Sequence, residues 1–347
     1  MTKIVVDAMG GDFAPTQQVL GSVQALNADK DLYIILVGDE PAIKAVLAPL
    51  KYDASRLEIV HTTQTISMEE TPTLAVKTKR DSSLVVAFEL LKADKADGLV
   101  SSGSTGAVLT AGILKLGRIK GVSRPGLCPA IPNSRGGATF LCDCGANLEC
   151  KSVNLVHFAL MASAYAECMG VKNAKVGLLN NGTEDHKGLP LQQETHAILK
   201  RLNCVNYAGN VEGRELMYGD IDVVVADGFT ANVAMKAVEG CAKTVSSIMK
   251  KEYKRNVFTK IGALLTSGII KKIRKNFDYE AQGGATFLGL TKAVVKGHGN
   301  SKARAIAACV AQAANAVRGD LVGKIKKLLE NTDLDAVTKA VTEGVTE

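Results

Sequence analysis

The sequence predicts an α/β fold: a doubly wound, mostly parallel sheet inside an α/β/α sandwich. Short apolar runs alternate with longer segments of helical periodicity over most of the 347 residues. Most of these runs are β-branched and apolar on both faces, as strands buried in a parallel sheet are. Gly is frequent, at 33 residues, and suits tight turns after strands. We expect one large unit of two closely joined lobes over residues 1–330, followed by a polar tail over residues 331–347.

The short apolar runs predict seven strands. They are predicted at Lys3–Val6, Leu32–Val37, Leu57–Val60, Gly98–Ser101, Ala138–Cys142, Lys175–Leu179 and Asp222–Ala226. Helices are predicted between and after them at Thr16–Leu26, Pro41–Leu50, Thr73–Leu91, Thr105–Leu116, Ser152–Met169, Leu189–Leu202, Phe229–Tyr253 and Ser301–Val317. Pro41 and Pro72 suit the first turns of their helices, because proline has no N–H to leave unpaired there.

Composition excludes several classes of protein. Aromatic residues make up only 4% of the chain, which argues against a base-stacking nucleic-acid surface. No run reaches the ~18 apolar residues that a membrane-spanning helix needs. The first residues lead directly into a strand, so we expect no signal peptide. The eight cysteines are scattered without a disulfide framework, which favours a reducing, cytoplasmic setting.

Gly- and hydroxyl-rich segments follow the strands, where doubly wound sheets bind their ligands. Ser101–Gly106 ends a strand and opens a helix, so its N–H groups and the hydroxyls of Ser101, Ser104 and Thr105 suit an anion. The alternative is a helix cap with a tight turn. The segment matches neither an ATP loop nor a dinucleotide loop. After the first strand, Asp7 and Asp12 flank Gly10-Gly11. A carboxylate there could orient a donor or hold a polar network, or it could instead cap the helix after Pro15.

Asn181–Gly188 offers the most promising charged side chains. Lys187 is a candidate for neutralising a phosphate oxygen or a developing oxyanion. Most lysines are simply solvated, but this one follows a buried strand. His186 is a weaker candidate for a base, because the sequence shows no orienting partner.

Two further segments carry residues that could act chemically or only structurally. Asp227-Gly228 begins another helix, from which Asn232 could donate to an oxyanion and Asp227 could orient Lys187, while a plain cap is the alternative. Cys142, Cys144 and Cys150 lack the spacing of a zinc site, so a structural role is expected.

The positive charge of the chain is concentrated in one segment. Nine Lys or Arg and a single acid, Glu252, lie between Lys250 and Lys275, whereas the whole chain carries +7. Apolar residues at helical spacing predict two short amphipathic helices, a basic hairpin over residues 250–280. It could bind an anionic membrane or an acidic carrier protein, or form a dimer interface. The residues expected to dock are Lys260, Leu264, Leu265, Lys271, Lys272 and Arg274.

Together these segments resemble the bacterial phosphate acyltransferase family, the acyl-carrier-protein:phosphate transacylases of phospholipid synthesis. The resemblance covers nearly the whole chain and is carried by motifs within Val6–Pro15, Ser101–Ala107, Asp143–Asn147, Asn181–Gly188, Gly209–Arg214, Asp227–Ala234 and Gly283–Leu290. The chain departs from the family pattern at four positions: Ser102 and Ser104 stand where Ala and Asn are frequent, Ala231 replaces the usual Gly, and Cys144 replaces Val or a similar residue.

The resemblance implies a fold like that of phosphate acetyltransferases and isocitrate or isopropylmalate dehydrogenases. It implies transfer of a long-chain fatty acyl group from acyl carrier protein to inorganic phosphate, without cofactor or metal. It further implies a homodimer, peripheral membrane association and a downstream glycerol-phosphate acyltransferase that uses the acyl phosphate; nucleic acid is not an expected partner.

Lys187 and Asn232 match the positions to which catalysis is ascribed in that family. The remaining candidates for substrate or phosphate binding are Asp7, Gly10, Gly11, Ser101, Gly103, Ser104, Thr105, Gly106, Asp143, Asn147, Asn181, Thr183, His186, Asp227 and Gly228. Two rival functions remain at this point: a short-chain phosphotransacylase that uses coenzyme A, and a non-catalytic membrane scaffold. A dehydrogenase is disfavoured because no nucleotide fingerprint is present.

Overall fold

The computed structural model describes residues 1–270 and 282–333. In this part of the chain eleven strands form one sheet, in the order β3-β2-β1-β4-β11-β10-β5-β6-β9-β7-β8. Their bounds are β1 Thr2–Asp7, β2 Leu32–Gly38, β3 Leu57–His61, β4 Gly98–Ser101, β5 Gly126–Pro132, β6 Ala138–Cys142, β7 Lys175–Asn180, β8 Asn206–Glu212, β9 Val223–Val225, β10 Ala285–Leu288 and β11 Ala293–Lys296. The predicted α/β class with a mostly parallel sheet is confirmed.

The sheet consists of two parallel groups that run in opposite directions. Strands β3, β2, β1, β4 and β11 are parallel to one another, and so are β6, β9, β7 and β8. Between them β10 is antiparallel to both β11 and β5, and β5 is antiparallel to β6. The carboxyl ends of the two groups therefore point to opposite edges of the sheet, and the predicted strand-end segments form two clusters.

Helices cover both faces of this sheet. Their bounds are α1 Thr16–Ala28, α2 Glu40–Leu47, α3 Pro72–Thr78, α4 Ser83–Lys92, α5 Thr105–Ala111, α6 Ser152–Cys168, α7 Pro190–Arg201, α8 Gly228–Tyr253, α9 Val257–Leu265, α10 Ala303–Arg318 and α11 Leu321–Glu330. A π-helical turn, Gly112–Leu116, continues α5. No helix in residues 1–270 or 282–333 is long and apolar enough to cross a membrane.

One predicted helix is wrong. The segment expected as a single helix over Thr73–Leu91 is divided into α3 and α4, and Ser82 caps the second helix by accepting from the N–H of Val85. Serine caps compete effectively with helix continuation because their hydroxyl satisfies an otherwise unpaired N–H group. The break lets α3 pack beside α5, where Pro72 lies against Gly106.

The core lies on both faces of the sheet. On one side of the first group, Val23, Leu26 and Ile34 are buried with residues of α10. On the second group, α6 is apolar around most of its circumference and buries Phe158 and Tyr165 against the sheet. A helix that is apolar all round belongs in a core, so α6 fixes the second group of strands from behind.

The basic hairpin is described in part. Its first helix is present as α9, begun by Asn256, whose side chain accepts from the N–H of Thr259 at 2.9 Å. The second predicted helix, with Lys271, Lys272 and Arg274, lies outside the described residues, as does the tail beyond residue 333.

Candidate active site

A cavity of about 300 Å³ lies between the two clusters of strand-end loops. Thr105 and the segment Lys296–His298 line it from the first group of strands, and Cys144, Gly145 and Asn232 line it from the second. It runs along β5, so the antiparallel strands at the middle of the sheet connect two loop clusters that the strand directions would otherwise separate. We take this cavity as the candidate active site.

One wall of the cavity is apolar. Leu127 and Ile131 of β5 and Met235 of α8 contribute to its lining. The thiol of Cys144 contacts the sulfur of Met235 at 3.4 Å. Burial raises the pKa of Cys144 well above its usual range, so the thiol stays neutral and packs as an apolar group. This wall suits a hydrocarbon chain or the thioester arm that carries it.

The first loop cluster is held together by Asp7. Its carboxylate is buried and accepts from the hydroxyl of Ser83 at 2.6 Å and from the hydroxyl of Ser101 at 2.7 Å. Burial raises the pKa of Asp7, against the effect of these hydrogen bonds. Because Ser101 gives its proton to Asp7, its hydroxyl joins β4 to β1 and has no second proton to donate to a phosphate.

Glycines allow the loops of this cluster to approach one another closely. A side chain on Gly10 would come within 2.8 Å of the backbone nitrogen of Gly103. Gly11 has a φ of +107°, and the next residue, Asp12, donates its N–H to the carbonyl of Gly299 at 2.8 Å. The predicted cradle residues Gly10, Gly11 and Gly103 are therefore brought together, but none of them is among the residues that line the cavity.

The cap expected at α5 differs from the prediction. Ser104 occupies the N-cap position, yet its side chain makes no capping hydrogen bond. Thr105 lines the cavity. Gly106 serves packing, because a side chain there would come within 2.7 Å of Pro72.

The sequence analysis singled out neither Lys296 nor His298 as a site residue. Lys296 is the last residue of β11, is 8% exposed, and lines the cavity with Gly297 and His298. Its ammonium donates to the carbonyl of Gly297. Burial lowers the pKa of Lys296 to about 8. A lysine closing the apolar run Ala293–Val295, just before Gly-His-Gly, was a usable signal in the sequence.

His298 also lines the cavity and is exposed to solvent. Neighbouring atoms nevertheless displace enough water to lower its pKa, so it is mostly neutral at pH 7. A neutral imidazole there can donate or accept one hydrogen bond per ring nitrogen.

The second loop cluster is held together by Asp143. This buried carboxylate accepts from the N–H of Leu127 at 2.7 Å, from the N–H of Asn147 at 2.6 Å and from the side-chain amide of Asn147 at 3.0 Å. Burial raises the pKa of Asp143. The N–H of Gly228 donates to the carbonyl of Asn147 at 2.8 Å. Asp143, Asn147 and Gly228 therefore fix the start of α8 and act on the cavity indirectly.

Asn232 lies one turn into α8 and lines the cavity beside Gly145. A side chain on Gly145 would come within 3.3 Å of the Asn232 amide nitrogen, so the glycine leaves room for that amide. Asp227 caps the helix: its carboxylate accepts from the N–H of Thr230 at 2.9 Å and from the Thr230 hydroxyl at 2.7 Å. Of the two roles considered for Asp227, the cap is confirmed.

The segment Asn181–Gly188 stands apart from the cavity wall. Asn181, Thr183 and His186 are exposed, and Lys187 is half-buried without being among the residues that line the cavity. The side-chain amide of Asn180 holds the segment by donating to the carbonyl of Lys187 at 3.1 Å. Because β7 pairs with β9, the segment emerges beside the loop that leads into α8. The catalytic role of Lys187 stays a prediction.

The exposed face of α9 is strongly apolar. Leu264 is 74% exposed and Leu265 81% exposed, and Phe258 is also exposed. Lys260 of α9 and the last turn of α8, with Lys250 and Lys251, supply the cations of this hairpin. Among the described residues, no group of three His, Cys, Asp or Glu side chains could hold a metal ion.

Comparisons with known proteins agree with this architecture. A family model described as "Fatty acid synthesis protein" matches residues 2–324. A phosphate acyltransferase of Caldanaerobacter subterraneus is 44% identical over 95% of this chain and 98% of the relative. One of Thermoanaerobacter pseudethanolicus is also 44% identical, over 95% and 98%.

A solved phosphotransacetylase from Streptococcus pyogenes superimposes with a TM-score of 0.62, covering 91% of this chain and 94% of its own, at 17% identity. That identity supports the fold alone. The identity to the curated relatives and the match of the family model extend over nearly the whole chain, so the protein belongs to the phosphate acyltransferase family.

Proposed function

We propose that this chain transfers a long-chain fatty acyl group from the thioester of acyl carrier protein to inorganic phosphate, yielding acyl phosphate. The observation that carries the proposal is the cavity itself. Its lining combines apolar residues of β5 with Lys296, His298 and Asn232, in a chain of the phosphate acyltransferase family. An acyl thioester needs the apolar wall, and an anionic nucleophile needs the polar groups.

The reaction follows from the chemistry of its two substrates. A phosphate oxygen forms a bond to the thioester carbonyl carbon, and the C–S bond breaks with its electron pair leaving on sulfur. The proton of hydrogen phosphate ends on the thiolate, so the products are acyl phosphate and free carrier thiol. A thiol has a pKa of ~8.5 and leaves readily. The enzyme is therefore left mainly to hold two electron-rich groups together and to stabilise the oxyanion.

Asn232 fits the oxyanion role because its amide lines the cavity on a helix start that Asp143 and Asn147 hold fixed. Lys187 is the second proposed catalytic residue, on the adjoining loop. The loops around Gly10, Gly103 and Thr105 are proposed to bound the phosphate side. Neither an acyl-enzyme nor a metal is required by this chemistry, because phosphate is already an anion.

A thiol-release assay tests the proposal directly. Palmitoyl carrier protein is incubated with the purified enzyme, with and without inorganic phosphate, and free thiol and acyl phosphate are both measured. We expect both to appear only with phosphate. A second arm replaces the substrate with acetyl-CoA at equal concentration. Faster turnover of acetyl-CoA would replace the proposal with a short-chain phosphotransacylase, and thiol release independent of phosphate would reject phosphate as acceptor.

We further propose that the basic hairpin docks the enzyme, as a peripheral cytoplasmic protein, on an anionic membrane. The exposed apolar face of α9, flanked by cations, supports this, since such a face inserts at the boundary of headgroups and acyl chains. Acyl carrier protein and the downstream acyltransferase are the proposed partners there. A homodimer is also proposed; Phe229 and Val233 at the start of α8 are exposed and suit an interface.

The docking proposal has its own test. Replacing Leu264 and Leu265 with Glu should abolish co-sedimentation with vesicles containing anionic phospholipid, because it places two charges on the inserting face. Turnover with carrier protein in solution should persist. Leu74→Glu, at a 62% exposed position on α3, is the control. Unchanged vesicle binding by the double variant would refute docking through α9.

A further inference from the structure

Lys296 is the one buried lysine side chain among the described residues, and it lies on the cavity wall. Its ammonium donates to the carbonyl of Gly297 and forms no ion pair within the described part of the chain. A buried charge without a counter-ion is costly, and an anion beside it removes much of that cost. The position therefore favours a bound anion.

The surroundings supply the space for such an anion. Lys296 lines a cavity of about 300 Å³ together with the backbone of Gly297 and Gly284. Thr105 stands on the same part of the wall, with a hydroxyl that can donate. Burial lowers the pKa of Lys296 and the charges of Asp7 and Asp12 raise it, but neither acid forms an ion pair with the ammonium in the described part of the chain.

We propose that Lys296 is a catalytic residue that holds the attacking phosphate in the cavity by direct contact with its ammonium. This deepens the proposed function and rests on it. Nucleophilic attack then proceeds from a phosphate oxygen fixed between Lys296 and the thioester carbonyl, with Asn232 on the opposite side. The lysine keeps its proton throughout, so the C–O bond that forms and the C–S bond that breaks are as already given.

The first experiment compares Lys296→Met, which removes the charge at similar length, with Lys296→Arg, which keeps it. In the Lys296→Met variant we expect the KM for phosphate to rise about 10- to 100-fold, the effect of losing one charged hydrogen bond. The KM for acyl carrier protein should stay unchanged. Lys292→Met is the matched control, since Lys292 precedes β11 and pairs with Asp94 at the surface. A wild-type phosphate KM in Lys296→Met would overturn the proposal.

The second experiment follows the phosphate KM with pH, between about pH 7.5 and 9.5. The pKa of Lys296 is about 8 in the free enzyme, so charge and phosphate binding are lost as pH rises through that value. We expect the KM to rise about tenfold per pH unit above it. Lys296→Arg should abolish this rise. If the phosphate KM of Lys296→Arg still rose with pH, another group would be responsible for the rise and the proposal would fail.

Other titratable groups around Lys296 do not produce the same profile. Burial raises the pKa of Cys309 to about 12, above the range of the assay. The pKa of His298 is lowered from 6.5, below that range. Asp7 and Asp12, on the loop after β1, and the Lys236–Glu239 pair of α8 are the remaining charged neighbours.

Calorimetric titration with inorganic phosphate separates this inference from the proposed function, because it requires no turnover. Wild type should bind phosphate more tightly at pH 7.5 than at about pH 9.5, and a folded Lys296→Met should bind it weakly. Thermal unfolding shows whether Lys296→Met folds. If it does not, the pH dependence of the phosphate KM in wild type and in Lys296→Arg still tests the proposal. Phosphate binding without phosphate-dependent thiol release would reject the acyl transfer while leaving the anion site.

Discussion

The two loop clusters beside the cavity differ in how completely their buried polar groups are satisfied. Around Asp143, four donor groups from three residues surround one carboxylate. Around Asp7 the carboxylate is also satisfied, but the hydroxyl of Ser102 is buried with no partner among the described residues, and Lys296 has only a backbone carbonyl.

This difference indicates a division of labour. A fully satisfied network is rigid, so the second cluster is suited to holding the Asn232 amide in one place. Unpaired buried donors are costly unless a ligand completes them, so the first cluster is suited to receiving an anion. The four predictions that follow test this division, beginning with the largest expected effect.

The loop Asn181–Gly188 belongs to neither cluster, and Lys187→Ala tests whether it nevertheless takes part in catalysis. If Lys187 stabilises the oxyanion, the variant should lose about 10²–10³ in kcat, as on removing one oxyanion donor. The thiol-release assay measures it. Lys200→Ala is the control, because Lys200 holds the same loop through Asp185 at 2.7 Å. Near-normal turnover in Lys187→Ala would confine catalysis to the cavity.

Asn232→Ala tests the catalytic contribution of the second cluster. Loss of one amide donor should lower kcat by about 10², with the KM for phosphate little changed. Val245→Ala, at a 50% exposed position further along α8, should retain activity. If the phosphate KM rose instead while kcat held, Asn232 would belong to the phosphate side and the division of labour would be wrong.

Asp143→Ala tests the rigidity of the second cluster. Removing the carboxylate leaves several buried N–H groups unpaired, so the free energy of unfolding should fall by about 3 kcal/mol. Asp222→Ala, which removes one exposed acceptor for the N–H of Lys175, should cost less than about 1 kcal/mol. Denaturant unfolding measures both. Equal losses would contradict a special supporting role for Asp143.

Asp227→Ala has the smallest expected effect. Loss of the cap should lower the free energy of unfolding by about 1 kcal/mol and loosen the first turn of α8, reducing kcat slightly through Asn232. Asp227→Ser should restore both, because a serine hydroxyl also caps. If Asp227→Ser restored stability but not turnover, the negative charge of Asp227 would have a catalytic role beyond the cap.

Local patterns in the sequence located seven of the eleven strands in the described part of the chain. All seven predicted strands are present because most of them are buried apolar runs, although β3, at the end of the strand order, is only partly buried; the motifs after them mark the true turns. Four strands escaped prediction for identifiable reasons. β5 contains Pro129 and Pro132, which are unusual within a sheet; β8 is rich in Asn and Gly, and β10 and β11 are only four residues long.

The sequence by itself therefore determined the α/β class, the turn motifs, the family resemblance and Asn232 as a candidate. Tertiary structure alone decided that the sheet reverses direction at β10 and β5, and that the two clusters meet across β5 instead of along one edge. Strand direction in a sheet depends on pairing between distant segments, which no local period encodes. The altered pKa of Lys296 was decided there too, because it comes from burial among residues far apart in the chain.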